Sequence, residues 1–178
     1  MIETFDYEVC ESSLRIGTRE GEIIFVGFPL LSGKGRGSID WLEKKFKDNV
    51  IFSTNQVIKE CAYQIKEYLR GERYEFELPV KYEGTHFQKE VWKAIDRIPY
   101  GMNVTYSELA RKIGCVKGMQ AVGNAVGANP ISIITPCHRV VAKKGPGGYA
   151  WGLDMKNKLL SLERLYFSAI SSSFTRCP

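Results

Sequence analysis

A cysteine followed directly by a histidine, Cys137-His138, lies inside the run Ile133-Ile134-Thr135-Pro136-Cys137-His138-Arg139-Val140-Val141. The thiolate is the reactive form of cysteine, and an adjacent imidazole or cation raises its population, so the pair can supply a nucleophile beside a base. The competing explanation is a packed core residue, since free cysteines are among the most buried residue types. Three neighbours favour chemistry. Pro136 bends the run, a helix-turn-helix pattern precedes it, and a carboxylate, Glu163, interrupts the apolar face of the helix that follows. On a helical period Met155, Leu159, Leu160, Leu162, Tyr166 and Phe167 share one arc with Glu163 near its centre, while Asn157, Ser161 and Arg164 face away. A carboxylate buried alone is costly, so Glu163 needs a partner, and His138 or Arg139 is the nearest candidate. A purely structural Glu–Arg ion pair competes with a functional role.

The elements that must hold these groups are legible in order. Residues 2–28 alternate as strands around the turn chemistry of Arg19-Glu20-Gly21-Glu22, which predicts an antiparallel meander. The glycine-rich stretch Leu31 to Ser38 lacks the spacing of a phosphate-binding loop and reads as a flexible connection. A short helix is expected over Ile39–Lys47. A stronger one follows over Asn55–Leu69, with Cys61 on its apolar stripe and hence in the core. Gly71 ends that helix, and Tyr74–Leu78 could add a strand before Pro79. Thr85-x-x-Gln88 and Thr105-x-x-Glu108 have the form of capping boxes. The first starts a helix with Phe87, Val91, Ala94, Ile95 and Ile98 inward; the second starts a short helix that turns at Gly114 into another over Lys117–Ala128. The last helix is expected over Asp154–Phe167. The chain thus divides into an α/β unit over 1–82, a mostly helical unit over 83–170 and a frayed tail over 171–178.

Charge is uneven. Residues 1–82 carry 12 Lys/Arg against 14 Asp/Glu, whereas residues 83–170 carry 12 against 6. A basic second half suits a polyanion, although an ordinary solvated surface has the same composition. Two short helices about a glycine turn form a helix-turn-helix candidate, a motif that also serves as plain scaffolding. Its second helix, Gln120-Ala121-Val122-Gly123-Asn124-Ala125-Val126-Gly127-Ala128, is built from small residues. That favours close approach to a minor groove or sugar-phosphate backbone over base-edge readout in the major groove. Downstream, Lys143 to Gly152 reads as a mobile basic loop ending in Tyr149 and Trp151, which could hold a flat heterocycle or simply pack.

Other classes are disfavoured. No apolar run approaches the roughly 20 residues needed to span a bilayer. The segment Met1 to Asp6 lacks the marks of a secretory signal, so an intracellular protein, in cytoplasm or nucleoid or nucleus, is expected. Five scattered cysteines and two histidines without C-x-x-C spacing predict free thiols and neither metal nor cofactor.

The run Pro136-Cys137-His138-Arg139-Val140, with Asn129-Pro130 upstream and Tyr149-x-x-Gly152-Leu153 downstream, resembles the O6-alkylguanine-DNA alkyltransferases, closely from about Thr85 to Phe167 and loosely before. The resemblance implies an α+β fold. Its N-terminal domain would be ribonuclease-H-like with an antiparallel sheet, and its C-terminal domain winged-helix-like. It also implies a monomer that acts once on duplex DNA bearing O6-alkylguanine, approached through the minor groove, with O4-alkylthymine left open as a further substrate.

By the same resemblance Cys137 would take and keep the alkyl group, His138 would deprotonate it through a water, and Glu163 would orient His138. Tyr106 would assist base rotation and protonate the leaving guanine, and Asn129 would tie the second helix to the active-site turn. The carbonyls of Cys137 and Val140 and the amide of Ala150 would read guanine, and Tyr149 and Trp151 would line the alkyl pocket. Thr105, Gln120, Ala121, Asn124 and Arg139 would contact DNA. Extrusion of the base costs a few kcal/mol and explains how it would reach a recessed thiol.

Two departures stand out. Gln120 occupies the place of the usual arginine that fills the gap left by the flipped base, and Ala150 stands where a serine is usual. The first implies weaker flipping, and a bulky Trp151 would restrict large adducts. Two rivals stay open: a Cys-His hydrolase, which would need repeated turnover, and a non-catalytic sensor of alkylated bases, whose relatives replace the cysteine.

Overall fold

The computed structural model describes residues 1–9, 12–29 and 35–174, with side chains as far as Phe167. β1 (Ile2–Val9), β2 (Ser12–Arg19) and β3 (Glu22–Gly27) pair antiparallel in succession. Glu20 and Gly21 both take left-handed conformations (φ 55° and 77°), which makes the tight reversal between β2 and β3. The sheet nevertheless differs from a pure meander. A fourth strand, β4 (Val50–Phe52), pairs with β1 in parallel, giving the order β3-β2-β1-β4. α1 (Ile39–Phe46), capped by Ser38, makes the crossover that a parallel strand requires. Three residues are too few for an alternating pattern to announce β4.

α2 (Gln56–Leu69) starts on an Asn55 cap and buries Ile58, Cys61, Ile65 and Tyr68. The strand expected over Tyr74–Leu78 does not form. There the backbone finds a side chain and not a strand: Gln64 accepts from Glu77 N at 3.0 Å and donates to Glu77 O at 3.2 Å. Only Val80, farther on, bridges to Ile23.

In the second half, α3 (His86–Asp96) begins on the Thr85–Gln88 capping box. It buries Trp92 together with Val91 and Ile95, whereas Phe87 and Ala94 are only partly covered. Trp92, a residue the sequence stripe omitted, donates its Nε1 proton to Ala125 O at 2.8 Å. β5 (Val104–Thr105) leads into α4 (Tyr106–Lys112), again with both halves of a capping box. Gly114 (φ 70°) and a 3-10 turn over Val116–Gly118 connect to α5 (Met119–Gly127). β6 (Val140–Val141) pairs in parallel with β5.

α6 runs Leu153–Phe174. The helix therefore passes the expected end at Phe167 and takes in 171–174, part of the expected tail; 175–178 lie outside the described residues. No glycine or proline interrupts it, so helical hydrogen bonding propagates. The glycine-rich stretch over 31–38 lies partly outside the described residues, as do Cys10 and Cys177; Cys61, Cys115 and Cys137 are free thiols.

The two halves share a core. Ile131, Ile133 and Leu159 pack with Leu14, Ile16, Ile65 and Tyr68. Val26 donates to Pro130 O at 3.0 Å and accepts from Ser132 N at 2.9 Å, so β3 anchors the segment that leads to Cys137. Among the described residues no helix is long and apolar enough to cross a membrane.

Candidate active site

Cys137 opens a single 3-10 turn, Cys137–Arg139, between the β3 anchor and β6. Reaching it requires a sharp path: Ile133, a β-branched residue, sits at φ 70°, where side chains are strained unless the surroundings hold them. Asn129 supplies much of the hold. Its Oδ1 accepts from Ile131 N at 3.0 Å, and its Nδ2 donates to Thr135 O at 3.0 Å and to Cys137 Sγ at 3.1 Å. The amide thereby links the end of α5 to the thiol.

Cys137 is 5% exposed, and that opening gives onto a cavity of about 240 Å³. Tyr106 walls it from α4, Gly123, Val126 and Gly127 from α5, and Gly148, Tyr149 and Ala150 from the loop after β6. A Cβ added at Gly123, Gly127 or Gly148 would meet nothing within 4 Å. Internal packing therefore does not require glycine there, although each helical glycine costs about 1 kcal/mol against alanine. Burial pushes the thiol up; the Asn129 donor and the positive charges of Arg36 and Lys156 pull it back.

Behind the thiol lies a buried polar cluster. His138 has no exposed surface, and its Nε2 lies 2.8 Å from Glu163 Oε1. Its Nδ1 has no hydrogen-bond partner among the described residues. Burial lowers the imidazole against the opposing pull of Glu163, which keeps the ring neutral near pH 7 and able to accept a proton. Glu163 is held from several directions. Arg139 Nη2 donates to Oε1 at 2.8 Å, Arg139 Nε reaches both oxygens at 3.0 Å, and Gly101 N donates to Oε2 at 3.0 Å. Burial would raise the carboxyl, but His138 and Arg139 outweigh it and bring it to about 2.

Two expected positions need correction. Arg139 is buried, occupied by Glu163 and by Ile98 O (2.6 Å), so it is not available to DNA; an ion-paired guanidinium stays where its partner is buried. Trp151 is not part of the cavity wall. Its ring packs edge-on to Phe25 and Phe28, and its Nε1 donates to Ser132 Oγ at 2.6 Å. Gly27 leaves the room: a Cβ there would lie 2.3 Å from the indole.

The remaining residues fall into two groups. Tyr106, Asn129, Tyr149 and Ala150 converge on the cavity with Cys137. Gln120, Ala121 and Asn124 lie exposed along α5 outside it, and Thr105 caps α4. The carbonyls of Cys137 and Val140 each accept one internal donor, from Val140 N and from Lys156 Nζ (2.6 Å), and each keeps a second lone pair.

Sequence reasoning missed three side chains. Lys156 is fully buried, lowered by burial to about 8, and also donates to Gly148 O at 3.0 Å, so it ties the 148–150 loop to β6. Its helical spacing from Leu159 and Glu163 was a usable signal. Tyr68 donates from its hydroxyl to Glu163 Oε1 at 2.7 Å. Arg36 donates to the carbonyls of Gly127 and Asn129 and lies over the Trp41 and Trp151 rings. Both of these come from the first half of the chain and carry no local mark.

Among the described residues no group of three or more His, Cys, Asp or Glu could hold a metal ion. What the arrangement offers is a recessed sulfur nucleophile, a neutral imidazole held by a carboxylate, and a phenol across a small cavity. That set suits displacement at a carbon brought to the sulfur.

Comparisons with known proteins converge. The family described as 6-O-methylguanine DNA methyltransferase, DNA binding domain, matches residues 86–165. The methylated-DNA–protein-cysteine methyltransferase of Methanosarcina barkeri is 41% identical over 167 residues, covering 88% of this chain and 96% of that relative. The inducible one of Bacillus subtilis is 42% identical over 126 residues, 70% of each chain. Among solved structures, the O6-methylguanine methyltransferase of Mycobacterium tuberculosis superposes with a TM-score of 0.78 at 29% identity, covering 93% of this chain and 94% of that one. The OGT of the same organism in complex with DNA gives 0.74 at 31% identity, covering 93% of both.

Proposed function

The chain belongs to the methylated-DNA–protein-cysteine methyltransferase family, and on that footing we propose that it repairs DNA by direct reversal, moving the alkyl group of O6-alkylguanine to Cys137 in a single irreversible turnover. The observation that carries the reading is Cys137 Sγ at the floor of a cavity walled by a surface helix of small residues, with His138–Glu163 buried behind it.

His138 takes the thiol proton, through a bridging water to its Nδ1. The sulfur forms a bond to the alkyl carbon as the carbon–O6 bond breaks, and the electron pair leaves on guanine. Tyr106 gives the guanine a proton at N3, and exchange with solvent returns Tyr106 and His138 to their resting states. Nothing regenerates the thiol, because a thioether is a poor electrophile for water.

Double-stranded DNA is the partner. The exposed row Gln120, Ala121, Asn124 would lie along the minor groove, with the lesion base turned out into the cavity. The free lone pairs of the Cys137 and Val140 carbonyls would accept from the guanine amino group, with the Ala150 amide toward O6 and Tyr149 against the alkyl group. Residues 83–170 form the acceptor and DNA-binding part, winged-helix-like around α4 and α5, and 1–82 the ribonuclease-H-like support. The protein acts as an intracellular monomer.

Intact mass after incubation with duplex O6-methylguanine DNA tests this. A permanent gain of one methyl, abolished in Cys137→Ser, is the expected result. Repeated turnover on an ester would point to the hydrolase, and binding without mass gain to a sensor.

A further inference from the structure

We propose that Tyr68, a residue of the N-terminal half, is a positioning residue for the transfer: its hydroxyl, committed to Glu163 Oε1, restrains the carboxylate's pull on His138 and fixes which imidazole nitrogen keeps a free lone pair. The proposal rests on the repair reading above. The family's DNA-binding domain matches residues 86–165, so this hydroxyl reaches the site from outside that domain.

α2 delivers Tyr68 with no exposed surface. The ring is fixed between Phe76 (centroids 5.5 Å apart) and Tyr100 (6.0 Å). The hydroxyl lies 2.7 Å from Glu163 Oε1 and 3.3 Å from His138 Nε2. A phenol has one proton to donate. The nearer, ionised carboxylate takes it, so His138 Nε2 receives none and must donate its own proton to Oε1. Nδ1, which has no partner among the described residues, is then the nitrogen with the free lone pair.

Oε1 consequently accepts from Tyr68, His138 and Arg139 together. Each added donor makes the oxygen a weaker acceptor for the others. The Tyr68 hydroxyl therefore opposes charging of His138. The groups facing this pair are Glu163 from α6, Arg139 from the turn and Tyr100 from the loop after α3, and Lys156 acts on His138 from α6. Burial holds the Tyr68 phenol well above its ordinary range, so it stays a donor throughout neutral pH.

The test uses the full chain with Tyr68→Phe, which keeps the ring. Single-turnover methyl transfer is followed from pH 5 to 8, and His138 is titrated by imidazole nitrogen NMR; with two histidines in the chain, assignment is direct. The midpoint of the acid limb and the His138 titration should both rise by about 0.5–1 pH unit. Tyr100→Phe, which removes a buried hydroxyl that has no hydrogen-bond partner among the described residues, should move neither. Wild type carrying 3-fluorotyrosine, a stronger donor, should shift His138 downward. An unmoved His138 titration in folded Tyr68→Phe, whatever the rate, would overturn the proposal, as would an upward shift with 3-fluorotyrosine. If His138 shifts as expected while wild type transfers no methyl, the positioning role stands and the repair reading falls.

Discussion

Asn129 Nδ2 lies 3.1 Å from Cys137 Sγ, and the same nitrogen reaches the Thr135 carbonyl at 3.0 Å. One amide thus shapes the turn that carries the nucleophile and offers the sulfur a donor that favours its anion. Asn129→Ala removes both effects and leaves buried polar groups without partners, at about 1–3 kcal/mol for each. We expect a lower melting temperature, a Cys137 thiol that titrates higher, and methyl transfer slowed by at least about tenfold. Thiol alkylation followed against pH checks the titration separately from the fold.

The Glu163 carboxyl should make this protein sensitive to acid. Its folded value, about 2, lies below that of a free glutamate. Its contribution is fully present above the unfolded value of about 4.3 and is lost as pH falls through about 2. Glu163→Gln should cost about 3–5 kcal/mol at neutral pH, since it strands Arg139. The same variant should show a flatter decline between pH 4.5 and 2. Urea unfolding at pH 7 and at pH 3 measures both; an equal loss at the two pH values would contradict the assignment.

Trp151 should govern stability and not adduct size. It packs on Phe25 and Phe28 above Gly27, away from the cavity. Trp151→Ala should lower stability by about 2–3 kcal/mol, somewhat less than a fully buried tryptophan. The ratio of benzyl to methyl transfer rates should stay unchanged. A large rise in that ratio would restore the indole to the pocket wall.

Gln120 is exposed on α5, its Nε2 3.4 Å from Asn124 Oδ1. It can offer an orphaned base hydrogen bonds but no charge. Gln120→Arg should accelerate single-turnover repair of duplex substrate and leave the rate on free O6-methylguanine unchanged, because only the duplex requires extrusion. Equal rates on duplex would show that the side chain does not fill the gap.

Sequence alone determined the local chemistry of this protein. The capping boxes at Thr85 and Thr105, the glycine turn at Gly114 and the Asn55–Leu69 stripe were legible because capping, left-handed turns and helical period are properties of neighbouring residues. Glu163 was legible as a charge on an apolar arc, and the cost of burying it alone pointed to His138 or Arg139 as its partner; the structure pairs it with both. Tertiary structure decided everything that joins distant segments. It placed β4 in parallel beside β1, withdrew Arg139 from the surface, turned Trp151 onto the sheet, and brought Tyr68 and Arg36 to a site some 60 to 100 residues away. Those outcomes depend on which surfaces close over one another, and no local pattern encodes a contact whose two halves lie so far apart in the chain.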